Sequence, residues 1–209
     1  MTVYESQRSA RMKRKFTLVL ALFLLPLCAW SNIGPAGFKQ FKKRIFVETG
    51  SYSGNGIQLA LSAGFQEVHS MDINPQFINN CKSRFQGNPN VHLYLKDSSK
   101  QLGEVIAPIK ESVTFWLDAH NGWPDPNAKN VKNTPLIEEL EQIKHHPIKT
   151  HTILIDDLHC CKTLLFDYLT LDQIIAKVLE INPYYTIFYV DGGDAGEYKN
   201  NVLVAYIPE

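Results

Sequence analysis

The 209-residue chain has little of most features that mark a specialised architecture. It carries only 4 cysteines, 3 methionines and 3 tryptophans, and its 12 glycines and 11 prolines are too few for a collagenous or low-complexity chain. No C-x-x-C or Cys/His spacing suggests a zinc site. No apolar run reaches the roughly 20 residues that span a bilayer as a helix. The phosphate-binding pattern ending in Gly-Lys-Ser/Thr is missing, and G-x-G-x-x-G fails because Tyr52 stands at its middle glycine. There is no repeat. Net charge is also absent, with 21 Lys+Arg against 21 Asp+Glu, so there is no overall electrostatic case for nucleic acid. What is there is 44% hydrophobic residues, enough for an ordinary globular core.

The zero charge is the sum of two unlike pieces. Residues 1–31 hold Arg8, Arg11, Lys13, Arg14 and Lys15 against Glu5, a net of +4, which leaves −4 for residues 32–209. A basic head, an apolar run from Phe16 to Trp30 and the exit Ala29-Trp30-Ser31 have the form of a secretory signal peptide. The reading is therefore an N-terminal signal peptide or membrane anchor over 1–31 and one domain over 32–209. Export or membrane anchoring follows if that segment is used, and a cytoplasmic protein if it is not. Removal of Cys28 with the signal leaves Cys81, Cys160 and Cys161, an odd set read as free thiols.

Short apolar runs at 44–48, 67–72, 91–96, 112–118 and 151–156 alternate with helical segments near 54–63, 75–86, 98–107, 134–145 and 166–180. That alternation predicts an α/β fold with a mostly parallel sheet. Two further strands, 184–190 and 201–207, follow each other through the loop 191–200, which predicts an antiparallel hairpin at the sheet edge.

In an open α/β sheet, ligands bind beyond the carboxyl ends of the strands. Every predicted parallel strand ends in an acid there: Glu48, Asp72, Asp97, Asp118 and the pair Asp156-Asp157. The first leads into Gly50-Ser51-Tyr52-Ser53-Gly54, a turn able to cradle a phosphate or a carboxylate, or simply to reverse the chain. Asp72, about 20 residues on from that loop, suits the hydroxyls of a ribose. Asp97-Ser98 suits an adenine edge, and Asp97 serves equally as a helix N-cap. His120 has the chemistry of a general base near neutrality, or anchors its loop. The segment 121–133 is long and polar and is read as an acceptor-site lid, in which Trp123 stacks on an acceptor or pins the loop. His69, His92, His145, His146, His151 and His159 show no ligand spacing and are read as surface or packing residues, with His159 bordering the site.

These residues resemble the class I S-adenosylmethionine-dependent methyltransferases over about 44–207, with the catechol O-methyltransferase-like group nearest in pattern. E-x-G-x-Y-x-G from Glu48 to Gly54, and Asp72-Ile73-Asn74-Pro75, carry the likeness. The resemblance implies a Rossmann-like, mostly parallel seven-stranded sheet with a C-terminal antiparallel hairpin. It places Gly50, Ser51, Tyr52 and Gly54 at the methionine part of S-adenosylmethionine and Glu48 near its amino group. Asp72 with Ile73 would hold the ribose, and Asp97 with Ser98 the adenine. A Mg²⁺ would lie on Asp118, Asp156 and Asp157, with Asp118 also facing the cofactor. The group's catalytic lysine falls on Asn121, and His120 is the nearest candidate base.

The expected function is metal-assisted O-methylation of a small-molecule acceptor by S-adenosylmethionine, with His120 and Asp118 at the chemistry. No nucleic-acid partner is expected, and the membrane enters only through the N-terminal segment. The alternative is a catalytically inactive, secreted or membrane-anchored binding protein with the same fold.

Overall fold

The computed structural model describes residues 35–122, 132–192 and 198–208. The signal-like segment and Trp123 lie outside these. Among the described residues no helix is long and apolar enough to cross a membrane.

The seven predicted strands form one sheet. They are β1 (Ile45–Thr49), β2 (Glu67–Asp72), β3 (Val91–Leu95), β4 (Thr114–Leu117), β5 (Thr152–Ile155), β6 (Thr186–Gly192) and β7 (Tyr198–Tyr206), in the order β3-β2-β1-β4-β5-β7-β6. The first five are parallel, and β7 pairs antiparallel with both β5 and β6. The hairpin's second strand therefore lies inward and β6 forms the edge. β1 and β4 are neighbours although the chain leaves β1 toward β2, so a crevice opens between their carboxyl ends.

The strands β1, β4 and β5 are buried along their whole length because helices cover both faces. One face packs α1 (Pro35–Gln40), α2 (Asn55–Ala63) and α3 (Pro75–Arg84) through Phe38, Phe46, Ile57 and Cys81. The other packs α4 (Ser98–Ile106), α5 (Leu136–His145) and α6 (Leu171–Ile181) through Leu102, Phe115, Leu140 and Val178.

Two elements differ from the sequence reading. The helix α1 was not expected, because six residues give too short a period to recognise. The last helix begins at Leu171 instead of 166. Asp167 and Tyr168 have φ of 50° and 60°, a left-handed break that no α-helix passes through. Thr170 then caps the helix, accepting from Gln173 N while Gln173 caps Thr170 in return. Before it, residues 158–160 and 164–166 form two 3₁₀ turns.

Candidate active site at the strand tips

The loop after β1 is held to β2 by backbone bonds. Gly50 N and Ser51 N donate to Met71 O (2.9 and 3.2 Å), Tyr52 N donates to Asp72 Oδ2 (3.0 Å), and Gly54 N donates to Ser51 O (2.7 Å). These N–H groups already have partners, so the loop is not the open anion cradle its glycines suggested. Gly50 is needed for approach: at φ 85° its Cβ would lie 2.7 Å from Asp118 O on the neighbouring strand tip. Tyr52 takes φ 40° and exposes 56% of its surface, with its ring edge on Phe77.

Glu48 is buried at the end of β1. It is 2% exposed, accepts from Ser70 Oγ, and Ser70 is in turn bonded to Ser51 Oγ at 2.6 Å. Burial raises its pKa to about 8, so the carboxyl is protonated at neutral pH. Gly56 lies against it, and any Cβ there would overlap Glu48 Oε1. Of the cofactor-site residues the sequence suggested, Glu48 is thus held inside.

Asp72 accepts from Tyr52 N through one oxygen and Asn74 N through the other (2.8 Å). Asn74 itself caps α3 by accepting from Gln76 N (2.9 Å), which leaves the lone pairs of Asp72 not used by the backbone free to meet a ligand. Next to it Ile73 is 70% exposed, an aliphatic side chain on the rim of a polar crevice. Asp97 is the N-cap of α4: it accepts from Ser99 N (3.1 Å) and Ser99 Oγ (2.5 Å) and pairs with Lys100 Nζ (2.8 Å), and these bonds lower its pKa. Ser98 is buried. The capping role is therefore observed, and an adenine contact would have to share Asp97 with it.

The tips of β4 and β5 bring the remaining acids together. Asp118, His120 and Asp157 each present a ligand atom, all within 4.8 Å of one another. His120 Nε2 is 2.9 Å from Asp157 Oδ2. Asp157 sits in the left-handed region (φ 58°), a conformation unfavourable for a non-glycine residue. Asp156 is half-buried beside them, with Oδ1 accepting from Asp157 N (2.8 Å). His120, read from the sequence as a base, lies in this cluster with Asp118 and Asp157. Burial, then the charges of Asp156 and Asp157, raises Asp118 well above the carboxylate range; burial and Asp157 bring Asp156 to about 7. Hydrogen bonding to Asp157 raises His120, while Asp157, despite burial, is lowered mainly by His120.

Asn121, at the expected lysine position, is a stitch. Its N–H donates to Asn133 O (2.7 Å), closing the base of the loop, and Asn133 is tied to Asp167 by two bonds of 2.9 Å. Two participants were missed. Asn201 on β7 donates to Asp157 Oδ1 (3.4 Å) and accepts from His159 N (2.8 Å); its sheet neighbour could not be read before the strand order was known. Glu139 on α5 is 1% exposed with Ser98 and Thr49 as polar neighbours, and burial raises its pKa to about 7. An i, i+4, i+7 apolar stripe of Leu136, Leu140 and Ile143, with Glu139 at i+3, points its side of the helix inward, which is the available signal. A cavity of about 450 Å³ lined by Phe41, Phe188 and Tyr206 lies at the other end of the sheet, away from these groups.

No protein-family model matches the chain, and no curated protein matches it in sequence. Solved structures do match in fold. An rRNA methylase from Streptococcus thermophilus aligns at TM-score 0.54 and 13% identity over 84% of this chain and 94% of its own. Aeropyrum pernix fibrillarin, with natively bound S-adenosyl-L-methionine, aligns at 0.54 and 11% over 78% and 66%. The N-methyltransferase NodS from Bradyrhizobium japonicum, in complex with S-adenosyl-L-homocysteine, aligns at 0.51 and 12% over 82% of each chain. The chain has the fold of the class I S-adenosylmethionine-dependent methyltransferases.

Proposed function

We propose that this protein is an S-adenosylmethionine-dependent methyltransferase acting on an oxygen of a small molecule held beyond the tips of β4 and β5, with a divalent metal. The observation that carries the reading is Asp72 at the tip of β2, flanked by the exposed Tyr52 and Ile73. A carboxylate between an exposed aromatic and an exposed aliphatic side chain suits a ribose with an apolar base beside it. The fold neighbours that carry S-adenosylmethionine or its demethylated product support the same ligand.

The donor set at β4 and β5 fits a divalent cation, since two carboxylates and an imidazole converge where a third carboxylate, Asp156, adds negative charge. Carboxylates suit Mg²⁺ and Mn²⁺, and the imidazole widens the choice toward later metals. When bound, S-adenosylmethionine supplies an electrophilic methyl group on a cationic sulfur, and the metal supplies a Lewis acid that lowers the pKa of an acceptor hydroxyl. Asp118, His120 and Asp157 would hold the metal, while Asp72 and the Tyr52 backbone orient the cofactor. An acceptor hydroxyl held there would give its proton to solvent or to a site carboxylate and receive the methyl group from the sulfonium, whose sulfur would keep the electron pair of the broken carbon–sulfur bond.

One observation favours the non-catalytic alternative. Asn121 replaces the base the resemblance expects, and His120 has Nε2 on Asp157 and Nδ1 buried. Calorimetric titration of residues 32–209 with S-adenosylmethionine, with and without Mg²⁺, tests the proposal. Binding is expected in at least the metal-loaded form, and no binding in either sinks it. Binding with no turnover across a panel of catechols and related hydroxy-aromatics points to the alternative.

A further inference from the structure

We infer that Glu67, His69 and His92 form a second metal site, for Zn²⁺ or a similar late divalent ion, at the opposite end of the sheet from the strand tips. It is independent of the methyltransferase reading. Glu67 opens β2 while Asp72 closes it, five residues and about 16 Å away at the usual strand rise.

Three features of the sheet build the site. Glu67 and His69 are two apart on one strand and so project from one face. His92 is the register partner of His69 on β3, which places the second imidazole beside the first. The two rings stack at 4.7 Å with a 27° angle, and both Nε2 atoms reach the same oxygen, Glu67 Oε1, at 3.0 and 3.6 Å. Donors sharing a tetrahedral ion at about 2.0–2.1 Å lie roughly 3.3 Å apart, close to the two distances from Glu67 Oε1. All three ligand atoms fall within 4.8 Å of one another.

The surroundings suit a cation despite the nearby Arg44. That guanidinium takes the other oxygen, Glu67 Oε2 (3.1 Å), and gives its remaining bonds to Glu111 Oε1 at 2.9 and 2.8 Å. With neutral imidazoles, one arginine against two glutamates leaves a local charge of −1. Tyr94 OH lies 2.8 Å from His69 Nδ1. It can accept the ring proton there, which frees the Nε2 lone pair for a metal. The side chains of His92 and Glu67 are 40% and 29% exposed, so an ion has a path in and a water has room as fourth ligand. Two imidazoles and one carboxylate are a set that zinc prefers over magnesium.

Zn²⁺ titration of the full chain, by calorimetry and by thermal unfolding, tests the inference. Co²⁺ absorption bands serve as a spectroscopic check on tetrahedral nitrogen ligation. The expected result is one Zn²⁺ equivalent that persists in Asp157→Asn, raises Tm, and weakens at least about 10-fold in His92→Ala. His92 lies on an edge strand, so this variant should keep its metal-free Tm; His92→Gln serves if it does not. Tyr94→Phe should weaken binding while leaving the Co²⁺ bands present. Absence of any equivalent that survives Asp157→Asn, or one that His92→Ala and His92→Gln leave unchanged, overturns the site.

Discussion

His120 Nε2 lies 2.9 Å from Asp157 Oδ2, a bond that joins the tip of β4 to the turn after β5. It sets the orientation of both side chains beside Asp118. Replacing Asp156 and Asp157 together by Asn removes two of the site's negative charges and leaves Asp72 and the β1 loop untouched. Any Mg²⁺ dependence of methyl transfer should vanish, with activity down about 10–100-fold, while S-adenosylmethionine affinity is unchanged by calorimetry. A collapse of cofactor affinity would mean that these carboxylates face the cofactor instead.

Asp72 gives the converse test. Asp72→Ala removes a charged acceptor from the crevice, and hydrogen bonds to charged groups contribute about 1.5–3 kcal/mol, so cofactor affinity should fall by roughly 10- to 100-fold. The same variant frees Tyr52 N, and a modest fall in Tm should accompany the loss. Equal cofactor affinity in the variant and the parent protein would remove Asp72 from the cofactor site.

Glu48 and Gly56 are coupled by contact. Gly56→Ala should destabilise by about 1–3 kcal/mol, the usual cost of overpacking, because its Cβ would overlap Glu48 Oε1. In a Glu48→Ala background that cost should largely disappear. Denaturant unfolding of both single variants and the double variant measures the coupling, and additive effects would contradict the contact.

His151 is the acid-sensitive group. It accepts from Val113 N through Nδ1 (3.2 Å), its Nε2 donates to His146 Nδ1 (3.0 Å), and His146 Nε2 donates to Ile109 O (3.2 Å), so a proton on His151 Nδ1 would break the Val113 bond. Burial, then the His146 and Lys149 charges, lowers its pKa to about 3, against 6.5 in the unfolded chain. Between those values the unfolded chain binds the extra proton, so stability is lost as pH falls, at about 1.4 kcal/mol per unit from this group. His151→Gln should flatten the unfolding free energy between pH 6.5 and 3.

Glu139 has the opposite sign. Its folded pKa of about 7 exceeds the unfolded 4.5, so the folded chain holds the extra proton between them and stability falls as pH rises through that window. Glu139→Gln should remove about 1.4 kcal/mol per unit of that slope. An unchanged slope in urea unfolding at pH 5 and 7 would show that Glu139 does not carry the extra proton.

The sheet was legible because its signals are local. Apolar runs of strand length, the Pro75 helix start and the glycine-bent turn at Gly50 are set by residues within a few positions of one another. The acids at the tips were legible for the same reason, since each ends its own strand. Two details inside those elements were not. Glu48 reads as a cofactor ligand from its motif, and its bond to Ser70, 22 residues away, shows only in the folded chain. Asp156 reads as a metal ligand, and that His120 comes within reach of Asp118 and Asp157 beside it depends on the pairing of β4 with β5.

Hydrophobic period and turn chemistry therefore suffice for the α/β class, the seven strands and the end of the sheet where the acids gather. Side-chain partnership across strands is another matter, because it depends on register, and register is a property of the assembled sheet. His69 and His92 show no ligand spacing along the chain and become neighbours only when Val68 pairs with Val91. Asn201 meets Asp157 only because β7 inserts between β5 and β6. Those long-range pairings, and the burial that shifts Glu48, Glu139 and His151, were decided by tertiary packing alone.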